Sequence, residues 1–102
     1  MIVRMWEVRV VPGRLREFCD LLTEGLWGRL RGVDGFLGGE LFASADGEDR
    51  VVVLTRWRDQ AALEAAAGPG WRTTALLTAA ERGFVVRPPH VWHFVPVSAV
   101  PG

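Results

Sequence analysis

Residues 50–67, RVVVLTRWRDQAALEAAA, change their periodicity halfway along. The first eight are rich in β-branched and aromatic types and predict a strand. Asp59 then offers an N-cap, and an alanine-rich helix follows until GPG at 68–70 breaks it. Side chains alternate along a strand, so Val53, Thr55 and Trp57 share one face while Leu54, Arg56 and Arg58 take the other. Val51, Val52, Val53 and Leu54 are nevertheless apolar on both faces. An antiparallel sheet with one wetted face should alternate apolar and polar residues. This strand therefore needs two covers, and the helix that follows supplies only one.

The flanking sequence repeats the design. Residues 2–11 are β-rich and stop at the Pro12–Gly13 pair. Over 14–31, Leu15, Phe18, Cys19, Leu22, Leu26 and Leu30 form one helical stripe, with Arg16, Glu17, Asp20 and Glu24 largely opposite, and Gly32 ends it. Residues 36–44 form a strand in which Gly38 and Gly39 predict a bulge or a close approach. ADGED at 45–49 is a turn. Residues 71–82 predict a further helical piece, and 87–97, RPPHVWHFVPV, a last strand, because Pro88 and Pro89 cannot sit inside a helix. The order is β-α-β twice. That is an α+β, ferredoxin-like split βαβ repeat: a four-stranded antiparallel sheet with helices on one face. One domain is expected over 1–98, with 99–102 a tail. Phe36, Leu37, Leu41 and Phe42, and Val91, Trp92, Phe94 and Val95, also cover both faces of their strands. A second copy of the same sheet is the simplest cover, so a homodimer is expected.

Composition narrows the function classes. Lys+Arg and Asp+Glu both count 12, which gives no field favouring nucleic acid or an anionic membrane. The chain has one cysteine, Cys19, on the apolar helix stripe, where it reads as core. Arg4, Glu7 and Arg9 make the start unlike a signal peptide, and the expected compartment is the cytoplasm. Lysine, tyrosine and asparagine do not occur. No Schiff-base amine, phenolic acid or asparagine carboxamide can enter a mechanism. His90 and His93 stand three apart on a strand and so face opposite ways, which denies them a shared metal ion. With no ligand cluster and no phosphate-cradling glycine turn, the expected cofactors are none.

The first strand running into VVPGRLREF, then GFLGGELFAS, and above all RVVVLTRWRDQAALEA resemble the antibiotic biosynthesis monooxygenase (ABM) family of the dimeric α/β-barrel superfamily. The resemblance spans roughly residues 2–97. It implies a dimeric α/β barrel and, among the family's activities, a cofactor-free monooxygenase that uses O2 on an electron-rich aromatic such as an anthrone, phenol or hydroquinone. A polyketide cyclase or aromatase on the same pocket, or a non-catalytic small-ligand-binding or interaction dimer, are the alternatives. The family's haem-degrading branch uses an Asn, a Trp and a His at places matched here by Trp6, Ala66 and about Ala75, so haem breakdown by that route is not expected. Trp57 matches the family's strand-end tryptophan.

With the sheet's other face given to a dimer, the pocket is expected between sheet and helices. Trp57, Trp6 and Thr55 would floor it, and Trp27 and Trp71 would roof it; aromatic walls suit a flat aromatic ligand. Arg72 could clamp a phenolate or carboxylate. Whichever of His93 and His90 faces the pocket would be the best base near neutral pH. Glu40, among apolar neighbours, reads as an edge charge that blocks strand pairing.

Overall fold

Every second residue of the first strand is buried, and this alternation sets the layers of the molecule. The computed structural model describes residues 1–102. Its elements are β1 (Ile2–Arg9), α1 (Leu15–Leu30), β2 (Phe36–Ala43), β3 (Arg50–Trp57), α2 (Gln60–Ala67), α3 (Ala79–Arg82) and β4 (His90–Phe94). The strands form one antiparallel sheet in the order β2-β3-β1-β4. That is the ferredoxin-like arrangement expected from the β-α-β repeat.

Register fixes which side chains share the helix-covered face. Arg4 lies opposite Thr55 on β3 and His93 on β4, and Trp6 lies opposite Val53 and Val91. Trp6, Val8, Phe18, Leu22, Leu26, Val51 and Val53 build the main core, while Ile2, Trp57, Ala62, Leu63 and Trp71 build a second cluster under α2. Cys19 packs against the main core, as its stripe position implied, and burial pushes its thiol up.

The outer face carries the residues of opposite parity. Met5 and Leu54 pair at its centre, flanked by Val3, Val52, Phe42, Trp92 and Phe94. Phe42, Trp92 and Phe94 are exposed. No helix of the chain covers this apolar side. Glu40 points the same way, near the β2 edge, and accepts a 2.7 Å bond from Arg56.

The two glycines of β2 do both things expected of them. A register shift between Phe36 and Gly38 marks the bulge. At Gly39 the backbone lets Trp27 lie flat: an added Cβ would stand 2.7 Å from the indole ring and 2.8 Å from the Leu54 carbonyl oxygen. Gly39→Ala is expected to cost about 1–3 kcal/mol, the range for overpacking a filled site. Urea unfolding at an unchanged midpoint would contradict that contact.

Asp59 caps α2 by accepting from the Ala62 N–H at 2.8 Å. The helical piece expected over 71–82 is mostly absent. Residues 71–73 turn, 74–78 run irregularly, and only Ala79–Arg82 are helical. β-branched Thr73 and Thr74 resist helix, and Thr78 starts α3 late through a reciprocal capping box with Glu81. Glu81 is buried and accepts two 2.9 Å bonds from Arg29, which ties α3 to α1. The strap left between α2 and α3, residues 68–78, crosses the β1–β4 side of the molecule.

Candidate functional site

A cavity lies where the sheet meets α1 and α2. Its floor is Arg4, Trp6, Thr55 and Trp57; Leu26 and Leu30 of α1, Leu63, Ala66 and Ala67 of α2, and Leu76 of the strap complete it. The free volume is about 40 Å³, little more than one water's share of the liquid, roughly 30 Å³. A pocket for a drug-sized ligand holds roughly 300–1,000 Å³. The site in this form has no room for such a ligand.

Of the expected floor, Trp57, Trp6 and Thr55 are in place. The Trp57 indole N–H donates to the Thr55 hydroxyl at 3.0 Å, so two buried polar groups satisfy each other. The roof is different. Trp71 is buried, but against Trp57 and Leu63 and beside His93 rather than on the cavity wall. Trp27 lies outside the cavity, stacked near Phe36 and over Gly39 on the edge strand β2, one strand beyond Thr55.

The histidines divide as their parity requires. His93 faces the helices but does not line the cavity; it stands on the other side of Arg4, its ring 4.8 Å from that of Trp71 and edge-on to it. His90 is on the outer face, exposed and stacked with Trp92 at 5.7 Å, which removes it from the site. Arg72 is also outside: it is exposed and lies over the far face of Trp71 at 4.4 Å, a cation–π contact. It acts on the site only through its charge.

The residue that sequence reading passed over is Arg4. It is 4 % exposed, yet its guanidinium takes part in none of the chain's ion pairs. It donates instead to the backbone carbonyls of Trp71 and Thr74 in the strap. Its Nη1 also lies 3.1 Å from His93 Nε2. A guanidinium can only donate, so Nε2 must be the bare nitrogen and the His93 proton sits on Nδ1. Burial lowers the Arg4 pKa to about 10, leaving it charged at neutral pH. Burial first, and then the charges of Arg4 and Arg72, hold His93 below the usual imidazole range. The result is a fixed cation on the cavity wall with a neutral imidazole directly behind it. The alternation of β1 held the one available signal, since Arg4 shares its face with Trp6 and Val8.

No group of three or more His, Cys, Asp or Glu side chains converges as a metal site, and no helix is long and apolar enough to cross a membrane. The sequence model of the family described as antibiotic biosynthesis monooxygenase matches residues 1–83. Several solved structures share the fold. The ActVA-Orf6 monooxygenase of Streptomyces coelicolor, solved with nanaomycin D, is 24% identical with a TM-score of 0.77, covering 99% of this chain and 91% of that one. SnoaB, a cofactor-independent oxygenase from Streptomyces nogalater, is 19% identical with a TM-score of 0.75, covering 99% and 97%. MhuD, solved with two manganese protoporphyrin IX molecules per active site, is 26% identical with a TM-score of 0.70 over the whole of both chains. Among curated proteins no match was found.

Proposed function

The chain belongs to the antibiotic biosynthesis monooxygenase family, and on that footing we propose that it is a homodimeric, cofactor-independent monooxygenase acting on an electron-rich aromatic. The observation that carries this reading is the cavity whose walls are two indoles and one buried cation. An anthrone or hydroquinone becomes a reductant of O2 once it loses a proton. The protein then has three tasks: to bind a flat ring, to favour its anion, and to keep water out. Trp6 and Trp57 suit the first, Arg4 the second, and the apolar side chains of α1 and α2 around them the third. His93 is the base, neutral at working pH and 3.1 Å from the cation that would hold the product anion. For an anthrone the balance is simple. The ring methylene becomes a carbonyl, one oxygen atom of O2 enters there, and the other leaves as water.

Likeness to SnoaB, a cofactor-independent oxygenase, and to ActVA-Orf6 with its bound nanaomycin D supports the substrate class. Likeness to MhuD brings porphyrin chemistry into view. At the places where the haem-degrading branch keeps its functional side chains this chain has Trp6 and Ala66 on the cavity wall and Ala75 in the core. None of these side chains can ligate iron, and none is a carboxamide.

Trp57→Phe separates pocket from packing. It keeps an aromatic ring in the core, so stability is expected to fall by about 1–2 kcal/mol or less. Turnover of an anthrone or hydroquinone is expected to fall about tenfold or more, because small misplacements of a bound reactant are costly. A variant that loses stability alone, in a protein whose tryptophan emission no aromatic ligand quenches, would reduce the cavity to core packing and leave a non-catalytic dimer.

A further inference from the structure

The cavity cannot admit a fused-ring ligand as it stands, so something must move, and the contacts of Arg4 identify what. The strap at 68–78 contributes Leu76 to the cavity wall, yet Leu76 is itself 46% exposed. Beyond the burial of Trp71, Ala75 and Leu77, its hydrogen bonds to the sheet are those from Arg4 to the carbonyls of Trp71 and Thr74. Arg4 thus faces two ways, toward the cavity and toward the strap.

The groups around it are all neutral or positive. β3 presents Thr55, β4 presents His93, the strap presents two carbonyls with Arg72 behind Trp71, and α1 and α2 present only apolar side chains. Buried arginines are ordinarily paired with a carboxylate. An anionic oxygen on Arg4 would be a stronger acceptor than either carbonyl, since charge-assisted bonds are roughly twice as strong as neutral ones.

We propose that Arg4 is the anion-binding residue of the cavity: the ionised oxygen of an acidic aromatic hydroxyl replaces the Trp71 and Thr74 carbonyls on its guanidinium, so that holding the anion and releasing the strap are one event. The proton of the hydroxyl passes from oxygen to His93 Nε2, which requires the separate Nη1–H bond to that nitrogen to break as Arg4 turns to the anion. Charge is conserved, since phenolate and imidazolium replace phenol and imidazole. This rests on the cavity binding aromatics and adds which ionic state it selects and what opens it.

A matched pair of probes tests it on the unmodified protein: 4-nitrophenol, whose anion alone absorbs visible light, and 4-nitroanisole, the same ring unable to ionise. Both should quench tryptophan emission. Nitrophenolate should bind roughly tenfold or more tightly than the ether, and bound nitrophenol should show an apparent pKa lowered by about one unit, the same preference seen through linkage. Trypsin reads the strap, because Arg72 lies within it and is exposed. Cleavage after Arg72, seen as a fragment ending there, should accelerate with nitrophenol and not with nitroanisole.

Arg4→Met should abolish the preference and speed that cleavage without any ligand; cleavage at arginines throughout the chain would instead signal unfolding, and the wild-type measurements then decide. Equal binding of the two probes, or an unshifted nitrophenol pKa, would overturn the role of Arg4 while leaving the aromatic cavity standing. Quenching by neither probe would overturn both. Phenolate preference with an unchanged rate at Arg72 would sink the link between anion and strap.

Discussion

Leu54→Arg is expected to turn the proposed dimer into a monomer. Leu54 sits at the centre of the outer face, opposite Met5 on β1 and Glu40 on β2, and contributes nothing to the helix-side core. A two-fold sheet-on-sheet contact would bring the substitution in twice, from both copies. Each buried, unpaired charge costs several kcal/mol, so the dissociation constant should rise by about a thousandfold or more. Sedimentation of the wild type at micromolar concentration should give about twice the 11.3 kDa chain mass, and the variant the chain mass itself. Far-UV circular dichroism should be unchanged. A monomeric wild type would leave Phe42, Trp92 and Phe94 exposed to water with no partner.

The second large effect is expected at His93. His93→Gln keeps a hydrogen-bonding side chain near Arg4 and removes the only imidazole on the cavity side. Turnover should drop by about 10²–10⁴-fold, the usual worth of a positioned base, with little change in thermal midpoint. The pH profile carries the same signature. With His93 as the proposed base the neutral imidazole is the active form, and burial, Arg4 and Arg72 all lower its pKa. The rate should therefore rise with pH through a limb lying below the ordinary histidine range and be flat at neutrality. Arg72→Gln, which removes one of those charges, should move the limb upward. Stability follows the same sign. Below the unfolded-state histidine pKa of about 6.5 the unfolded chain binds the extra proton first. The contribution of His93 is thus present above that pH and lost as pH falls toward its lowered folded value. A limb at or above the ordinary range would contradict the buried placement beside two arginines.

Local chemistry made much of the fold legible. β3 and its boundary with α2 follow directly from the valine run, the strand-end Trp57 and the Asp59 cap. The parity of β4 was enough to predict that the two histidines separate. The strap was misread because alanines and leucines at 75–80 suggest helix, whereas its path is set by distant partners: Arg4, 67 and 70 positions away in sequence, and Arg29 through Glu81, 52 positions away. Arg4 escaped notice for a related reason. An arginine in a strand ordinarily reads as solvated, and the carbonyls that accept from it belong to a segment whose shape no local pattern announces. Trp27 was placed on the roof by helix membership. Gly39 draws it instead onto the edge strand β2, beside the cavity.

Oxygen uptake by the purified protein, after treatment with a metal chelator and with no flavin or reductant added, bears most directly on the proposed activity. With an anthrone as substrate, uptake is expected to depend on protein concentration, to match quinone formed one for one, and to fall steeply in His93→Gln. Uptake no faster than in buffer, or uptake that appears only when a metal or flavin is supplied, would contradict it.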